Sequence, residues 1–367
     1  MVRVLLRKGS HQLYDSFLSN PPHGVDYVIS RLSLRREDKS RLAKLKRLVW
    51  TQYTKYFPPI VRLSRADCDL IHSTAGILLN TKDTWVIDTE NVYGFVNHAH
   101  TKLPAHKKQI QAILEKDNCK AIMPHCEAAK RSIENFFQSD IINKKLTVLY
   151  PAMPMDIIAK QAHDDFTFLF VGVRFLEKGG RETLNAFELF RKKHAAKLVM
   201  ISNMPSEYAQ KYENDPDVTI VPATLSRERV LEYMSKADVF MFPSYKESFG
   251  IVYMEAMSMG LPIITVEVCA GKELVEGAGI VLKSPISWHD TRDLLQYPSW
   301  PAFVLDIENN SFPEFEKDLA HAMSTLFNDA DMRATMGRVG EEKVRNGVLS
   351  VAYRNETLKR VYEAALK

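Results

Sequence analysis

Two glutamates, Glu247 and Glu255, stand eight positions apart in Pro243-Ser-Tyr-Lys-Glu-Ser-Phe-Gly-Ile-Val-Tyr-Met-Glu255. The apolar run Val239 to Phe242 before them reads as a strand that Pro243 stops, and a helix is expected to begin near Gly250. Glu255 then lies about one turn inside that helix, and Glu247 lies in the loop ahead of it. A carboxylate offers two acceptor oxygens, which suit the two hydroxyls of a ribose at Glu255. At Glu247 the same group can hold sugar hydroxyls and place negative charge beside a developing oxocarbenium ion. Gly250 has no Cβ, so the amides of Gly250, Ile251 and Val252 can approach a phosphate at the positive end of the helix. Taken singly, either glutamate reads first as a surface carboxylate.

A second junction supplies the opposite charge. In Phe168-Leu-Phe-Val-Gly-Val-Arg-Phe-Leu-Glu-Lys-Gly-Gly, a buried strand ends near Gly172 and delivers Arg174 and Lys178 to the carboxyl edge of a sheet. Ligands of open α/β sheets bind at that edge. Two cations there can neutralise a diphosphate, and Gly179-Gly180 opens the next helix to an anion. For Arg and Lys beside a glycine pair alone, the plainer alternative is a solvated turn.

Positioning these residues requires two α/β sheets. A chain of 367 residues exceeds what one core usually supports, so two domains are expected. Short apolar runs alternate with helical patterns, as in βαβ units. The first half has strand candidates at 2–6, 25–29, 70–72, 85–87, 121–123 and 147–150. The second half has them at 167–172, 197–201, 218–221, 239–242, 263–266 and 279–282. Tyr150-Pro-Ala-Met-Pro-Met-Asp marks the hinge. The division is therefore 1–155 plus a terminal helix at about 345–367, against 156–344.

The constellation resembles the donor-binding domain of the retaining glycosyltransferases of family four, the glycosyl transferases group one. The matching residues are Gly172, Arg174 and Lys178, then Ala237-Asp238, Pro243-Ser244, Glu247, Phe249-Gly250, Glu255-Ala-Met257 and Gly260-Leu-Pro262. The resemblance implies a GT-B architecture, two Rossmann-like domains facing across a cleft, with the last helix crossing back to the first. It also implies a metal-independent hexosyl transfer from a UDP- or GDP-sugar, which serves as co-substrate with no further cofactor. Glu247 would bind the transferred sugar, Glu255 the ribose, and Arg174 and Lys178 the diphosphate. Ser248, Phe249 and the amides of Gly250, Ile251 and Val252 would line phosphate and sugar, and Gly172 would border the site. The sequence departs from the pattern at Ile201-Ser-Asn-Met-Pro, where a Gly-rich turn is common, and Asn203 becomes the candidate base contact there.

By the same resemblance the first half binds the acceptor. Gly9 and Ser10 follow the first strand and can let the backbone approach a sugar, or form an ordinary βα turn. Asp88 and Glu90 end the strand at Trp85 and are expected to point into the cleft. Asp88 stands where a His is often found in the family, and as a carboxylate it can orient an acceptor hydroxyl or accept its proton. Its alternative is an Asx turn. His98 joins the acceptor side. With His100 and His106 it raises a metal site, but no Cys or carboxylate completes the spacing, so no metal is expected. Asp215-Pro-Asp217 precedes a strand instead of ending one and reads as a turn.

Charge divides the halves. Residues 1–150 hold 24 Lys/Arg against 14 Asp/Glu, leaving 25 against 31 for the rest. The excess concentrates in 31–65, with 11 Lys/Arg against two acids. Within it Leu42, Leu45, Val49, Tyr53 and Tyr56 recur at helical spacing, while Lys44, Arg47, Thr51 and Lys55 occupy another face. A basic amphipathic helix over 38–57 can dock on an anionic membrane surface, or pack on the first sheet with a solvated basic side. No nucleic-acid motif accompanies the charge. Cys68, Cys119, Cys126 and Cys269 lack paired spacing, and the N-terminus carries neither a leader nor a span, so a cytoplasmic protein at most peripheral to the membrane is expected.

Competing functions are a nucleotide-dependent oxidoreductase and a non-catalytic sugar-nucleotide or membrane-binding relative. No Gly-x-Gly-x-x-Gly follows a strand, which counts against the first. Retention of Glu247, Glu255, Arg174 and Lys178 together counts against the second.

Overall fold

The computed structural model describes residues 1–9, 11–30, 41–65, 67–154 and 160–367. The expectations for Ser10, for 38–40 at the start of the basic helix and for 155–159 of the hinge lie outside the described residues. Two compact units emerge. The first comprises 1–154, 291–294 and 348–367, and the second 155–290 and 295–347.

The first unit carries β1 (Val2–Arg7), β2 (Val25–Ile29), β3 (Ile60–Val61), β4 (Leu70–Ser73), β5 (Leu78–Leu79), β6 (Trp85–Thr89) and β7 (Cys119–Pro124). Its main sheet is wholly parallel in the order β2-β1-β4-β6-β7, and β3 and β5 pair separately. The two short strands carry too little pattern to stand out in the sequence. Expectation and structure part at 147–150, which forms no strand. Thr147 N and Leu149 N instead donate to Ile122 O and Pro124 O along β7, at 3.0 and 2.9 Å, so this segment shadows the sheet edge without joining it.

Helix Val351–Ala365, capped by Ser350, belongs to this unit. It buries Leu358, Val361 and Tyr362 with Val4, Leu6, Leu70 and Met123. Its Arg354 is buried yet saturated: Nη1 donates to Ala152 O at 2.9 Å and Nη2 to Asn20 O at 2.7 Å. A guanidinium with five donors can be enclosed only where backbone carbonyls meet it in this way.

The second unit carries β8 (Thr167–Arg174), β9 (Lys197–Asn203), β10 (Val218–Val221), β11 (Val239–Phe242), β12 (Ile263–Val266) and β13 (Gly279–Leu282), all parallel in the order β10-β9-β8-β11-β12-β13. Strands covered on both faces read as near-continuous apolar runs, and β11 and β12 are buried at every residue. The chain leaves β8 in one direction along the sheet and returns on its other side at β11. A crevice opens at the carboxyl ends of two strands where the order reverses in this way.

Helix Arg41–Tyr56 lies within the predicted basic helix. Leu45, Leu48, Val49, Tyr53 and Tyr56 are 56, 57, 61, 40 and 69% exposed, so these apolar side chains face solvent and not the sheet. The side chains of Leu42, Lys44, Arg47, Thr51 and Lys55 lie outside the described set. Among the described residues no helix is long and apolar enough to cross a membrane.

Candidate active site

The reversal between β8 and β11 collects most of the residues singled out above. Arg174 closes β8 opposite Asn203 at the end of β9, and Gly172 in β8 accepts a 2.6 Å hydrogen bond from Ser202 Oγ. The chain then turns through Gly179, whose φ of +73° belongs to glycine. A Cβ there would meet Pro243 O at 2.4 Å, so the β8 loop and the end of β11 come as close as backbone allows. This approach brings Lys178 to Glu247. Lys178 Nζ donates to Glu247 Oε2 at 2.7 Å and to Lys246 O at 2.8 Å. Glu247 Oε1 accepts from Ser248 N at 3.0 Å. The partly buried carboxylate is thus fixed on both oxygens while a cation stands beside it.

Gly250 caps the next helix at φ +86°, and a Cβ there would meet Tyr253 at 2.5 Å and Glu247 at 3.2 Å. Helix Ile251–Ser258 follows with no side-chain cap at its N-terminus. The first-turn amides of Ile251 and Val252 have no partner within a helix by construction. Phe249, buried just before them, ties the loop to the core. Glu255 stands in this helix, with Oε1 receiving Arg227 Nε at 2.7 Å. Arg227, at the start of helix Arg227–Ser235, was not apparent from the sequence. It lies 28 residues from Glu255 in no shared pattern, and only the fold brings them together.

The first unit presents a different arrangement at its sheet ends. Asp88 does not point into open space, which corrects the expectation drawn from its place at a strand end. It belongs to β6, which is buried throughout, and its side chain is fully enclosed. Its Oδ2 meets His72 Nε2 at 2.9 Å and its Oδ1 meets His125 Nε2 at 3.1 Å. His72 Nδ1 reaches Tyr362 OH at 2.6 Å, and that hydroxyl lies 2.8 Å from Tyr27 OH. Burial works against the charged carboxylate, but the hydrogen bonds from His125 and His72 outweigh it and hold Asp88 at about 2, below the ordinary 3.8. His72 on β4 and His125 just past β7 hold Asp88, and Tyr362 of the last helix holds His72 in turn, which a local reading could not supply.

Two residues along, Glu90 is partly exposed, with Oε2 3.7 Å from His98 Nε2. Gly9 N donates to Thr74 Oγ1 at 2.7 Å, and a Cβ on Gly9 would press on Tyr14 at 2.8 Å. His100 packs against Tyr93, whereas His106 meets Tyr56 O at 3.2 Å, so the three histidines look to different neighbours. Among the described residues no group of three or more His, Cys, Asp or Glu is arranged to hold a metal ion. Asp215 accepts from Arg191 and from Asp217 N at 2.7 and 2.9 Å, which makes the Asp215-Pro-Asp217 segment a braced turn.

Residues 156–297 match the family model described as glycosyl transferases group 1. Among curated proteins the chain is similar to the capsular polysaccharide biosynthesis glycosyltransferase CapM of Staphylococcus aureus, 24% identical over 57% of this chain and 48% of that one. It is also similar to the lipopolysaccharide glucosyltransferase WaaG of Escherichia coli, 36% identical over 19% of each. The chain thus spans about half or less of the length of these relatives. Over whole chains its fold is like that of a glycosyltransferase from Rickettsia africae, with a TM-score of 0.63 at 12% identity covering 100% and 99%. HepE of Anabaena in complex with UDP and glucose gives 0.59 at 13%, covering 99% and 100%. The stretch that carries the Glu247, Glu255, Arg174 and Lys178 constellation is thus the part of the chain that matches the glycosyl transferases group 1 model, within a chain of two Rossmann-like units whose fold is of GT-B type.

Proposed function

We propose that this protein is a metal-independent, retaining glycosyltransferase that moves a hexose-type sugar from a UDP- or GDP-sugar to an acceptor hydroxyl. The observation that carries the reading is the meeting of Arg174, Lys178, Glu247 and the uncapped helix start at the reversal of the second sheet. Cations take the diphosphate, the Ile251 and Val252 amides take phosphate or sugar oxygens, and Glu255, held by Arg227, takes the ribose diol. HepE, a structural neighbour, is recorded with UDP and with UDP-glucose, which supports a uridine donor.

In the reaction the bond from the anomeric carbon to the β-phosphate oxygen breaks while the acceptor oxygen bonds to the same face of that carbon. The acceptor proton passes to the departing diphosphate oxygen. Lys178 and Arg174 stabilise the charge that develops on the diphosphate, and Glu247 stabilises the oxocarbenium-like sugar. Lys178 also fixes Glu247, so one contact orders both halves of the separating charge. A screen of UDP-, GDP- and ADP-sugars for slow hydrolysis tests the reading. Release of one nucleoside diphosphate, lost in Glu247→Ala, is expected; no release from any donor contradicts catalysis and favours a binding protein of the same fold.

The acceptor is proposed to be a membrane lipid or lipid-linked glycan. Support comes from the exposed Leu45, Leu48, Val49 and Tyr56 on a helix in a strongly basic span, a face suited to an anionic lipid interface. Sedimentation with anionic vesicles is expected to fall in a Leu48→Ser, Val49→Ser variant. Equal sedimentation by variant and parent would remove this assignment.

A further inference from the structure

In the second unit the arginines near the sheet ends are matched to carboxylates. Arg181 meets Glu182 at 2.6 Å, Arg191 meets Asp215 at 2.7 Å and Arg227 meets Glu255 at 2.7 Å. Two cations depart from this pattern. Arg174 and Lys246 have no hydrogen-bond acceptor and no ion pair among the described residues. Both lie instead on one indole. Lys246 Nζ is 3.9 Å from the centre of a Trp300 ring, and Arg174 Cζ is 4.7 Å from it. Trp300 rests edge-on against the buried Trp288 at 5.3 Å, so the platform is anchored.

An indole face attracts a cation, but two like charges sharing one ring repel each other, and Lys178 adds a third close by. Burial, with Arg174 and Lys178 next in weight, lowers Lys246 to about 8, while Glu247 and Glu177 act in the opposite direction. A solvated surface lysine would be neither enclosed by rings nor depressed in this way. The arrangement is one that an anion completes: it would give the ammonium an acceptor and remove the repulsion.

We infer that Lys246 is a third cation of the diphosphate site, and that Trp300 is the positioning residue that gathers Lys246 and Arg174 beside Lys178. The inference rests on the donor reading above and extends it to residues outside that constellation. Trp300 lies beyond the matched stretch, which ends at residue 297. Lys246 immediately precedes the sugar-side Glu247, and its backbone carbonyl already holds Lys178. The ligand class is therefore a nucleoside diphosphate whose pyrophosphate is clasped from the β8 loop by Arg174 and Lys178 and from the β11 loop by Lys246.

Calorimetric titration of the full chain with inorganic pyrophosphate, UDP, GDP and ADP tests this. Lys246→Met is expected to weaken pyrophosphate about tenfold or more, as loss of a charge-assisted contact should. Trp300→Leu is expected to weaken it severalfold and Trp300→Phe to recover most of the loss, because a phenyl ring still attracts cations. Raising the pH from about 7 to about 9 discharges Lys246 in the free protein, so the parent loses affinity relative to Lys246→Met over that range. Melting curves without ligand establish that each variant is folded. If Trp300→Leu fails to fold, Lys246→Met and the pH comparison decide alone. Parent-like affinity in Lys246→Met, with binding lost in Arg174→Met, overturns the third cation and leaves the donor reading intact. No binding of any of the four probes by the parent overturns both.

Discussion

The carboxyl ends of the two sheets carry similar residue types in opposite states. In the first unit Asp88 is sealed and every one of its strong contacts comes from the protein, through His72 and His125. In the second, Glu247 and Glu255 are only partly buried and pair with Lys178 and Arg227, while Arg174 and Lys246 beside Lys178 lack acceptors among the described residues. A buried polar group that is fully partnered stabilises a fold, whereas an exposed Arg174 and a half-buried Lys246 without protein acceptors can take them from a ligand. Position at a strand end does not separate the two cases; the partners do.

The largest effect that would break this contrast is on turnover. Glu247→Ala and Lys178→Ala are each expected to lower sugar transfer, or donor hydrolysis, by about a hundredfold or more while the melting temperature stays within a few degrees. Unchanged turnover in both variants would remove the assigned roles. Asp88→Ala is expected to behave in reverse, with nucleotide affinity retained and stability reduced by about 3 kcal/mol, because two buried histidines lose their acceptor. Denaturant titration reads this directly, and a drop in nucleotide affinity without a change in stability would reverse the two roles.

Acid sharpens the same point. The folded Asp88 carboxyl titrates at about 2, below its unfolded 3.8, so its contribution is complete above about pH 4 and is lost as the pH falls toward 2. The size is about 2 kcal/mol. Asp88→Ala should flatten that part of the stability curve, and an unaltered acid limb would show that the network is not the cause. The smallest effect concerns Arg227. Arg227→Met should weaken nucleoside diphosphate severalfold by freeing the Glu255 side chain, with little effect on pyrophosphate. Equal losses for both ligands would place Arg227 at the phosphates instead.

The sequence made the local part of this picture legible. Parallel strands covered on both faces appear as apolar runs, so β8, β11 and β12 could be read from Phe168, Phe240 and Ile264 and their neighbours. The glutamate pair and the two cations lie within short segments whose punctuation, Pro243 and the Gly179-Gly180 pair, is equally local. Contacts assembled across the chain were hidden. Arg227 on Glu255, His72 and His125 on Asp88, and Trp300 under Arg174 are paired by sheet order, which periodicity does not encode. For the same reason Asp88 read as an acceptor contact: its strand position was visible and its enclosure was not. The segment 147–150 has the composition of a strand, yet it meets β7 through alternate hydrogen bonds that never become a ladder.

Thermal-shift titration of the full chain with UDP, GDP and ADP, alongside Arg174→Met, tests the central claim most directly. A ligand that binds only the folded state adds about 2.7 kcal/mol at a hundred times its dissociation constant. Concentration-dependent stabilisation by at least one of the three, greatly reduced in Arg174→Met, is the predicted result. No stabilisation by any of them, or equal stabilisation of the variant, would contradict a nucleoside diphosphate site at the β8 and β11 strand ends.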